Sequence, residues 1–494
     1  MNQPIDRVAV LGGGSAGLMT ALTLRSMLPE LDVTLVHSSD LPPIGVGEST
    51  TSLLPPFLHE GLRLDPREFY QAVRPTWKLG IRFDWRPAEE GHFYYPFDRP
   101  ADTRSAGLGK ENAYYHFADG QVFSPYTEMM DQQKAPCLPR PEGGYAIDHQ
   151  YGYHIENRAF VRHLHDVALK RGIHVLDRRI KQINVDPAGG VAGVRLDDDN
   201  TLTAGLYVDC TGFASKLLGQ ALEEPFIDYR DSLFCDRAVT GTWPRAAGVL
   251  PYTTSQTMNH GWCWLIELTD RVNCGYVFSS QFCSEAEAAE ELKSRHPMVG
   301  DHVGAVKFRS GRYERFWVNN VAAVGNAAGF VEPLEATGLH MVAVSARTLG
   351  QALVDSDRRV SAAMRRQINR FIAGLWDDIR DFLAIHFAFN RRLDTPFWRH
   401  CRENTNLAGA RGLLDFYRQS GPSSIGAQLI HRNSIFRYEG YLTMLIGLGV
   451  PSDYAMPATD EERQRWRRLR TSAHEMAAAA LSMDDGLAMA MPPT

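Results

Sequence analysis

The sequence predicts an α/β fold: a nucleotide-binding module in separated pieces, an inserted mixed sheet and a helical C-terminal region. Three observations carry this. Ile5 to Leu11 reads as a buried strand, followed by Gly12-Gly13-Gly14-Ser15-Ala16-Gly17 and an apolar helix through about Leu28. Two later stretches repeat the strand-and-helix habit, one at 158–212 and one running from Val321 into a helix after Gly338. From about Met364 long helical patterns dominate, such as Arg370 to Phe389.

In chain order, Asp32 to Val36 is the second strand and completes an opening βαβ unit. The second piece holds a helix from Ala159 to Lys170, strands near His174–Leu176 and Val191–Leu196, and Leu206–Val208 ending in Asp209-Cys210-Thr211-Gly212. The third runs from the strand Val321–Val324 into Gly325-Asn326-Ala327-Ala328. Pieces of one fold separated in this way make the chain between them an insertion. The module is therefore expected at 1–80, 150–220 and 305–355. The inserted segments, 81–149 and 221–304, are rich in aromatics and turn residues and read as a covering sheet. Helices fill 356–494, and the Ala/Met/Pro-rich stretch after Met483 is expected to fray.

Composition narrows the class. A 44% hydrophobic fraction in 494 residues allows a large core, and a net charge of −6 points to neither nucleic acid nor an anionic membrane surface. Met1 to Leu11 lacks the basic and apolar segments of a signal peptide. No apolar run approaches the ~20 residues of a membrane helix. Seven scattered cysteines without a CxxC imply no metal site and reduced thiols, hence a cytoplasmic protein.

Gly12, Gly14 and Gly17 satisfy GxGxxG between a strand and a helix. The first permits the turn, the second lets backbone approach a pyrophosphate, and the third lets helix and strand pack closely. The helix N-terminus then offers N–H groups and a positive dipole end to phosphate. Where an acidic ribose ligand is expected the chain reads Val36-His37-Ser38-Ser39, which leaves His37 or a serine for that contact. The small residues Gly325 to Gly329 let the chain pass close to a ribityl phosphate region. No second GxGxxG serves a nicotinamide, so the cofactor expected is FAD, without NAD(P)H.

Three further segments carry chemistry. In Arg74 to Trp85, strand alternation puts Trp77, Leu79, Ile81, Phe83 and Trp85 on one face and Lys78, Arg82 and Asp84 on the other. Periodicity alone makes Lys78 a solvated lysine on a half-buried strand. In His260 to Ile266, Trp262, Trp264 and Ile266 point one way, as a packing face that is also able to shield a flavin. In Phe330-Val331-Glu332-Pro333-Leu334-Glu335-Ala336-Thr337-Gly338, two carboxylates precede a helix whose first N–H groups near Thr337 and Gly338 form an anion site. Thr337 is expected to cap that helix as well.

These segments, with Ile44-Gly45-Val46-Gly47-Glu48-Ser49-Thr50, Tyr153-His154-Ile155-Glu156-Asn157, Asp209 to Gly212 and Asp394-Thr395-Pro396-Phe397-Trp398, resemble the flavin-dependent tryptophan halogenase family. The likeness runs in order to about residue 400, and the lysine, paired-tryptophan and EPLE-x-TG segments are its specific part. One departure stands out: the family's WxWxIP ends here in Glu267.

The resemblance implies a GR2-type flavoprotein monooxygenase-like fold. It implies cofactor contacts at Gly12, Gly13, Gly14, Ser15, Ala16, Gly17, Val46, Gly47, Glu48, Ser49, Ile180, Gly325 and Leu339. It also implies a chemistry. FADH2 arrives from a separate reductase and forms a hydroperoxide with oxygen, and chloride or bromide held at Thr337 and Gly338 becomes hypohalous acid. Lys78 hydrogen-bonds that oxidant or forms a haloamine, and Glu335 positions it or takes the proton from the arenium intermediate. The substrate implied is a small electron-rich, indole-type aromatic; a homodimer is compatible with the family.

Two other readings share part of this evidence. An aromatic monooxygenase would share the fold, but such enzymes generally lack the lysine and paired-tryptophan segments and carry Asp-Gly where Asp209-Cys210 stands. A non-catalytic flavin carrier is favoured by Glu267 and His37 alone. Free-tryptophan members grip the amino acid with C-terminal aromatics and a glutamate; the corresponding stretch here, Tyr438 to Leu445, holds two tyrosines and one glutamate but no tryptophan.

Overall fold

The computed structural model describes residues 4–41, 47–98, 113–117, 122–300, 304–429, 434–454 and 459–491; Val46 of the expected cofactor set lies outside them. The chain divides into two compact units. One comprises Met1–Arg74, Ile155–Tyr229 and Phe308–Trp376, the other Pro75–His154, Arg230–Lys307 and Asp377–Thr494.

The central strands of the first unit are buried along most of their length, as a parallel sheet covered on both faces requires. Arg7–Leu11 sits between Asp32–His37 and Leu206–Asp209, both parallel to it, with Val10 opposite Leu35 on one side and Val208 on the other. His174–Asp177 extends the sheet at one edge and Val321–Ala323 at the other, where Trp317–Val318 adds an antiparallel strand. Helices Ser15–Met27 and Gly338–Asp355 pack against each other, with Met27 Sδ seated where Gly350 has no side chain.

The second unit holds a seven-stranded sheet. Its order is Gly304–Lys307, Arg237–Pro244, Arg271–Phe278, Gly261–Glu267, Tyr252–Met258, Gly80–Asp84 and Phe93–Pro96. Pairing is antiparallel throughout except between Tyr252–Met258 and Gly80–Asp84, which makes the sheet mixed. One face buries Val239, Met258, Cys263, Cys274, Tyr276 and Phe278 with Ala288 and Leu292 of the helix Glu285–Arg295. The helix Arg437–Gly447 presents Gly440 and Gly447, two turns apart, to Tyr95 and Phe93.

Two expectations are corrected. The run from Arg74 to Trp85 is not one strand with a wet face. It breaks at Leu79: Thr76–Lys78 pairs with Gly152–His154, while Gly80–Asp84 joins the seven-stranded sheet. Protein covers both faces at the break, so Lys78 is 0% exposed, and the solvated lysine expected from alternation is overturned. Among the described residues, the tail after Met483 is not loose. Met483–Ala490 is a helix whose first turn is capped by Ser482, its hydroxyl accepting from Asp485 N at 3.1 Å. The absence of a side chain at Gly486 lets this helix close onto Ala135 and Trp77, where a methyl group would come within 2.7 and 2.9 Å.

Candidate active site

In the first unit each glycine of the loop does separate work. Gly12 has φ +125°, and a Cβ there would lie 2.1 Å from the carbonyl oxygen of Cys210. A Cβ at Gly17 would meet the Gly12 carbonyl at 1.8 Å, so that glycine sets how closely helix and turn approach. Nothing lies within 4 Å of a Cβ at Gly14, which leaves an open cradle where a pyrophosphate needs backbone access. Ala16 faces Gly325 (φ +69°), whose Cβ would come within 2.9 Å of it, so the two small-residue turns meet. Ser15 opens the helix and its hydroxyl donates to Asn157 Oδ1 at 2.9 Å. The donor-rich turn, the open Gly14 and the dipole end fit a dinucleotide such as FAD.

His37 lies against Gly13 at the end of its strand, edge-on to His165 at 5.5 Å, and burial lowers its pKa. It therefore places an imidazole beside the loop where a carboxylate is expected. Gly47, Glu48 and Ser49 form a short strand, and burial pushes the Glu48 carboxyl up to about 7. Ile180 begins a strand and packs on the apolar cluster that contains Leu11 and Val36. Asp209 is spent on structure: its carboxylate accepts from Thr211 N and Oγ1 and from Leu217 and Leu218 N.

The EPLE-x-TG segment forms a tight turn over Pro333–Glu335, then Ala336 with φ +57°, then the helix from Gly338. Glu332 and Glu335 are buried, as are Thr337 and Leu339, while Gly338 is exposed. Thr337 occupies the cap position but its side chain makes no capping bond, which corrects that expectation. Its own backbone is already in the helical region (φ −83°, ψ −6°), where a side chain cannot reach forward to the next N–H groups. The first helical N–H groups are left without intrahelical acceptors, as any helix start leaves them. Nearby, His340 Nδ1 lies 2.9 Å from Thr51 Oγ1, and burial lowers its pKa to about 4.

In the second unit Lys78 stands where the chain passes from one sheet to the other. Leu79 N donates to Pro251 O at 2.7 Å and Leu79 O accepts from Phe97 N at 2.8 Å, which fixes the crossing. The Lys78 ammonium lies 5.0 Å from the centre of the Phe97 ring. Gly152 is directly opposite Lys78 and His154 opposite Thr76, so His154 borders the lysine diagonally on the same face. Sequence reasoning gave Phe97 and His154 no role; the aromatic run Phe93 to Phe97 was the available signal for the first. Trp262 and Trp264 are 1% and 7% exposed, and the Trp264 ring covers Gly275. Among the described residues no group of three His, Cys, Asp or Glu is placed to hold a metal ion, and no helix is long and apolar enough to cross a membrane.

A Gly-rich dinucleotide cradle on a largely parallel sheet is consistent with an FAD-binding fold, and the second unit encloses a lysine. The profile of the tryptophan halogenase family matches residues 7–464, and the chain belongs to that family. Tryptophan 7-halogenase RebH of Lentzea aerocolonigenes is 31% identical over 495 residues, covering 92% of each chain. Among solved structures, MibH, a lanthipeptide tryptophan 5-halogenase, superposes with a TM-score of 0.91 at 40% identity, covering 99% of this chain and 94% of its own. Xcc4156, a flavin-dependent halogenase from Xanthomonas campestris, does so with a TM-score of 0.88 at 27% identity, covering 100% and 99%. The protein is thus a flavin-dependent halogenase; neither the monooxygenase nor the carrier reading is favoured by these matches.

Proposed function

We propose that the protein halogenates the indole ring of a substrate that does not present a free amino-acid zwitterion. The observation that carries the halogenation chemistry is Lys78, a fully buried lysine under an aromatic ring at a sheet crossing. Reduced FAD, delivered by a separate reductase, supplies with oxygen the two-electron oxidation that turns chloride or bromide into hypohalous acid. The glycines of residues 12–17, with Glu48, Ser49, Ile180, Gly325 and Leu339, hold the cofactor. Backbone N–H groups at Thr337 and Gly338 hold the halide at the helix start. Lys78 receives the oxidant, by hydrogen bond from its ammonium or as a haloamine, and keeps it from diffusing. Glu335 takes the proton that the ring loses as the carbon–halogen bond is completed.

The substrate reading rests on the stretch Tyr438 to Leu445. Tyr441 Oη donates to Asp378 Oδ1 at 3.0 Å, the Thr443 and Tyr114 hydroxyls are 2.9 Å apart, and Tyr438 is buried. The Tyr441 and Thr443 hydroxyls are engaged in holding the helix, which supports an indole without the zwitterion; a tryptophan side chain within a peptide belongs to this class. The test is a screen with reductase, FAD and NADH over indoles, blocked tryptophan, tryptophan-containing peptides, phenols and pyrroles, with chloride and bromide in parallel. Halogen added to an indole supports the reading. Oxygen added, or no product from any indole, overturns it.

A further inference from the structure

The network around His154 carries an inference about the lysine, and it rests on the reading of Lys78 as the residue that receives the oxidant. His154 is 0% exposed, and both ring nitrogens face hydroxyls: Nδ1 lies 3.3 Å from Thr76 Oγ1 and Nε2 lies 2.8 Å from Thr253 Oγ1. The Thr76 hydroxyl has one hydrogen, and it donates that hydrogen to the Glu267 carbonyl at 2.5 Å. Toward His154 it can then act as an acceptor alone. The Nδ1 nitrogen must therefore carry the proton, which the Glu267 carbonyl also attracts, and Nε2 accepts from Thr253. The tautomer is fixed by its partners. Burial and the neighbouring Lys78 charge hold the ring neutral, lowering its pKa to about 3.

The same bonds tie separate strands together. Thr76 lies two residues before Lys78 in Thr76–Lys78, Thr253 lies in Tyr252–Met258, and Glu267 ends Gly261–Glu267. His154 thus anchors the short lysine strand to the large sheet immediately before the crossing at Leu79. Gly152, opposite Lys78, offers no side chain to do so.

We propose that His154 is a positioning residue for Lys78: as a neutral imidazole it fixes the strand from which the lysine projects, and so keeps the oxidant where the ring is halogenated. Displacing a reacting group by about 1 Å lowers rate by up to ~10²-fold, so a loosened strand uncouples oxidant formation from product.

The test compares His154→Leu, His154→Asn and His154→Gln with wild type and Lys78→Met. In each, halogenated product, hypohalous acid trapped outside the protein by added methionine, and the melting temperature are measured. His154→Leu is expected to lower kcat for product by about tenfold to a hundredfold with KM for the aromatic within about threefold, while trapped oxidant per FADH2 rises. His154→Asn, which can place a donor near the Nδ1 position, is expected to recover more product than His154→Gln. A structural role alone would lower product and trapped oxidant together, in step with the folded fraction, and would overturn the proposal. So would wild-type coupling in His154→Leu, or Gln rescuing as well as Asn. If Lys78→Met is inactive while His154→Leu is normal, His154 alone is misassigned. If Lys78→Met halogenates normally, the reading of Lys78 has failed and this inference falls with it.

Discussion

A lysine with no surface in water has given up its hydration, and proteins keep such a group where partners or chemistry compensate. Lys78 is that group here. Lys78→Ala is expected to abolish aryl halogenation while FAD binding and the oxidation of FADH2 stay nearly intact, read from product mass against flavin absorbance. Lys78→Met, which keeps most of the volume, should behave the same; retention of most halogenation by either variant would remove the assignment. Glu335→Gln is expected to be slowed by a factor of about 10²–10⁴, the range for a lost acid–base group, in single-turnover product formation. Full activity there would leave the proton to another acceptor. Glu267, standing where the family's motif has proline, is 8% exposed, and burial raises its carboxyl to about 7. The folded chain thus holds a proton that the unfolded chain releases near the ordinary value of 4.5. That stabilisation is fully present below pH 4.5 and lost as pH rises through 7. Glu267→Gln should therefore gain melting temperature relative to wild type between pH 5 and 8, by a few degrees; a gap independent of pH would show that the carboxyl titrates normally.

Elements differ in how much of themselves they write into sequence. The opening βαβ unit was legible because Val8 to Leu11, apolar at consecutive positions, means a strand covered on both faces, and Gly12, Gly14 and Gly17 leave no other turn. The break at Leu79 was not legible. Alternation counts faces and does not tell which sheet each half of a run will join, and both halves keep the period of two. The burial of Lys78 was missed for the same reason, since the cover comes from residues far away in the chain. The Met483–Ala490 helix reads as a loose tail because its alanines, methionines and glycine carry little periodic signal; its order comes from the Ser482 cap and the fit of Gly486 on Trp77. Glycines of this kind allow a direct test. A Cβ at Gly447 would come within 2.3 Å of the Phe93 ring, so Gly447→Val forces the helix Arg437–Gly447 off its strand. The expected loss is about 1–3 kcal/mol in chemical denaturation, the usual effect of overpacking. An unchanged midpoint would mean that the helix docks through other contacts.

At the scale of the whole molecule, the sequence carries one GxGxxG turn, and the proposed substrate is one without a free zwitterion. The single turn predicts that the purified protein will not oxidise NADH or NADPH alone, and that a free flavin reductase restores turnover; rapid NADPH oxidation stimulated by an aromatic would restore the monooxygenase reading. The substrate region makes the sharper prediction. Binding free tryptophan strips water from an ammonium and a carboxylate, and each polar atom left unpaired costs about 1–3 kcal/mol. The stretch Tyr438 to Leu445 does not offer Tyr441 or Thr443 for that work, because Tyr441 is bonded to Asp378 and the Thr443 hydroxyl meets Tyr114. Glu439 is exposed, and a lone exposed carboxylate pairs weakly with an ammonium through water. Simple indoles, and tryptophan blocked at both its amine and its carboxylate, should therefore show a higher kcat/KM than free tryptophan. The ranking is read by competing the substrates in one reaction and weighing the halogenated products. Free tryptophan preferred by tenfold or more, about 1.4 kcal/mol in transition-state binding, would mean that the zwitterion is held by groups outside this helix.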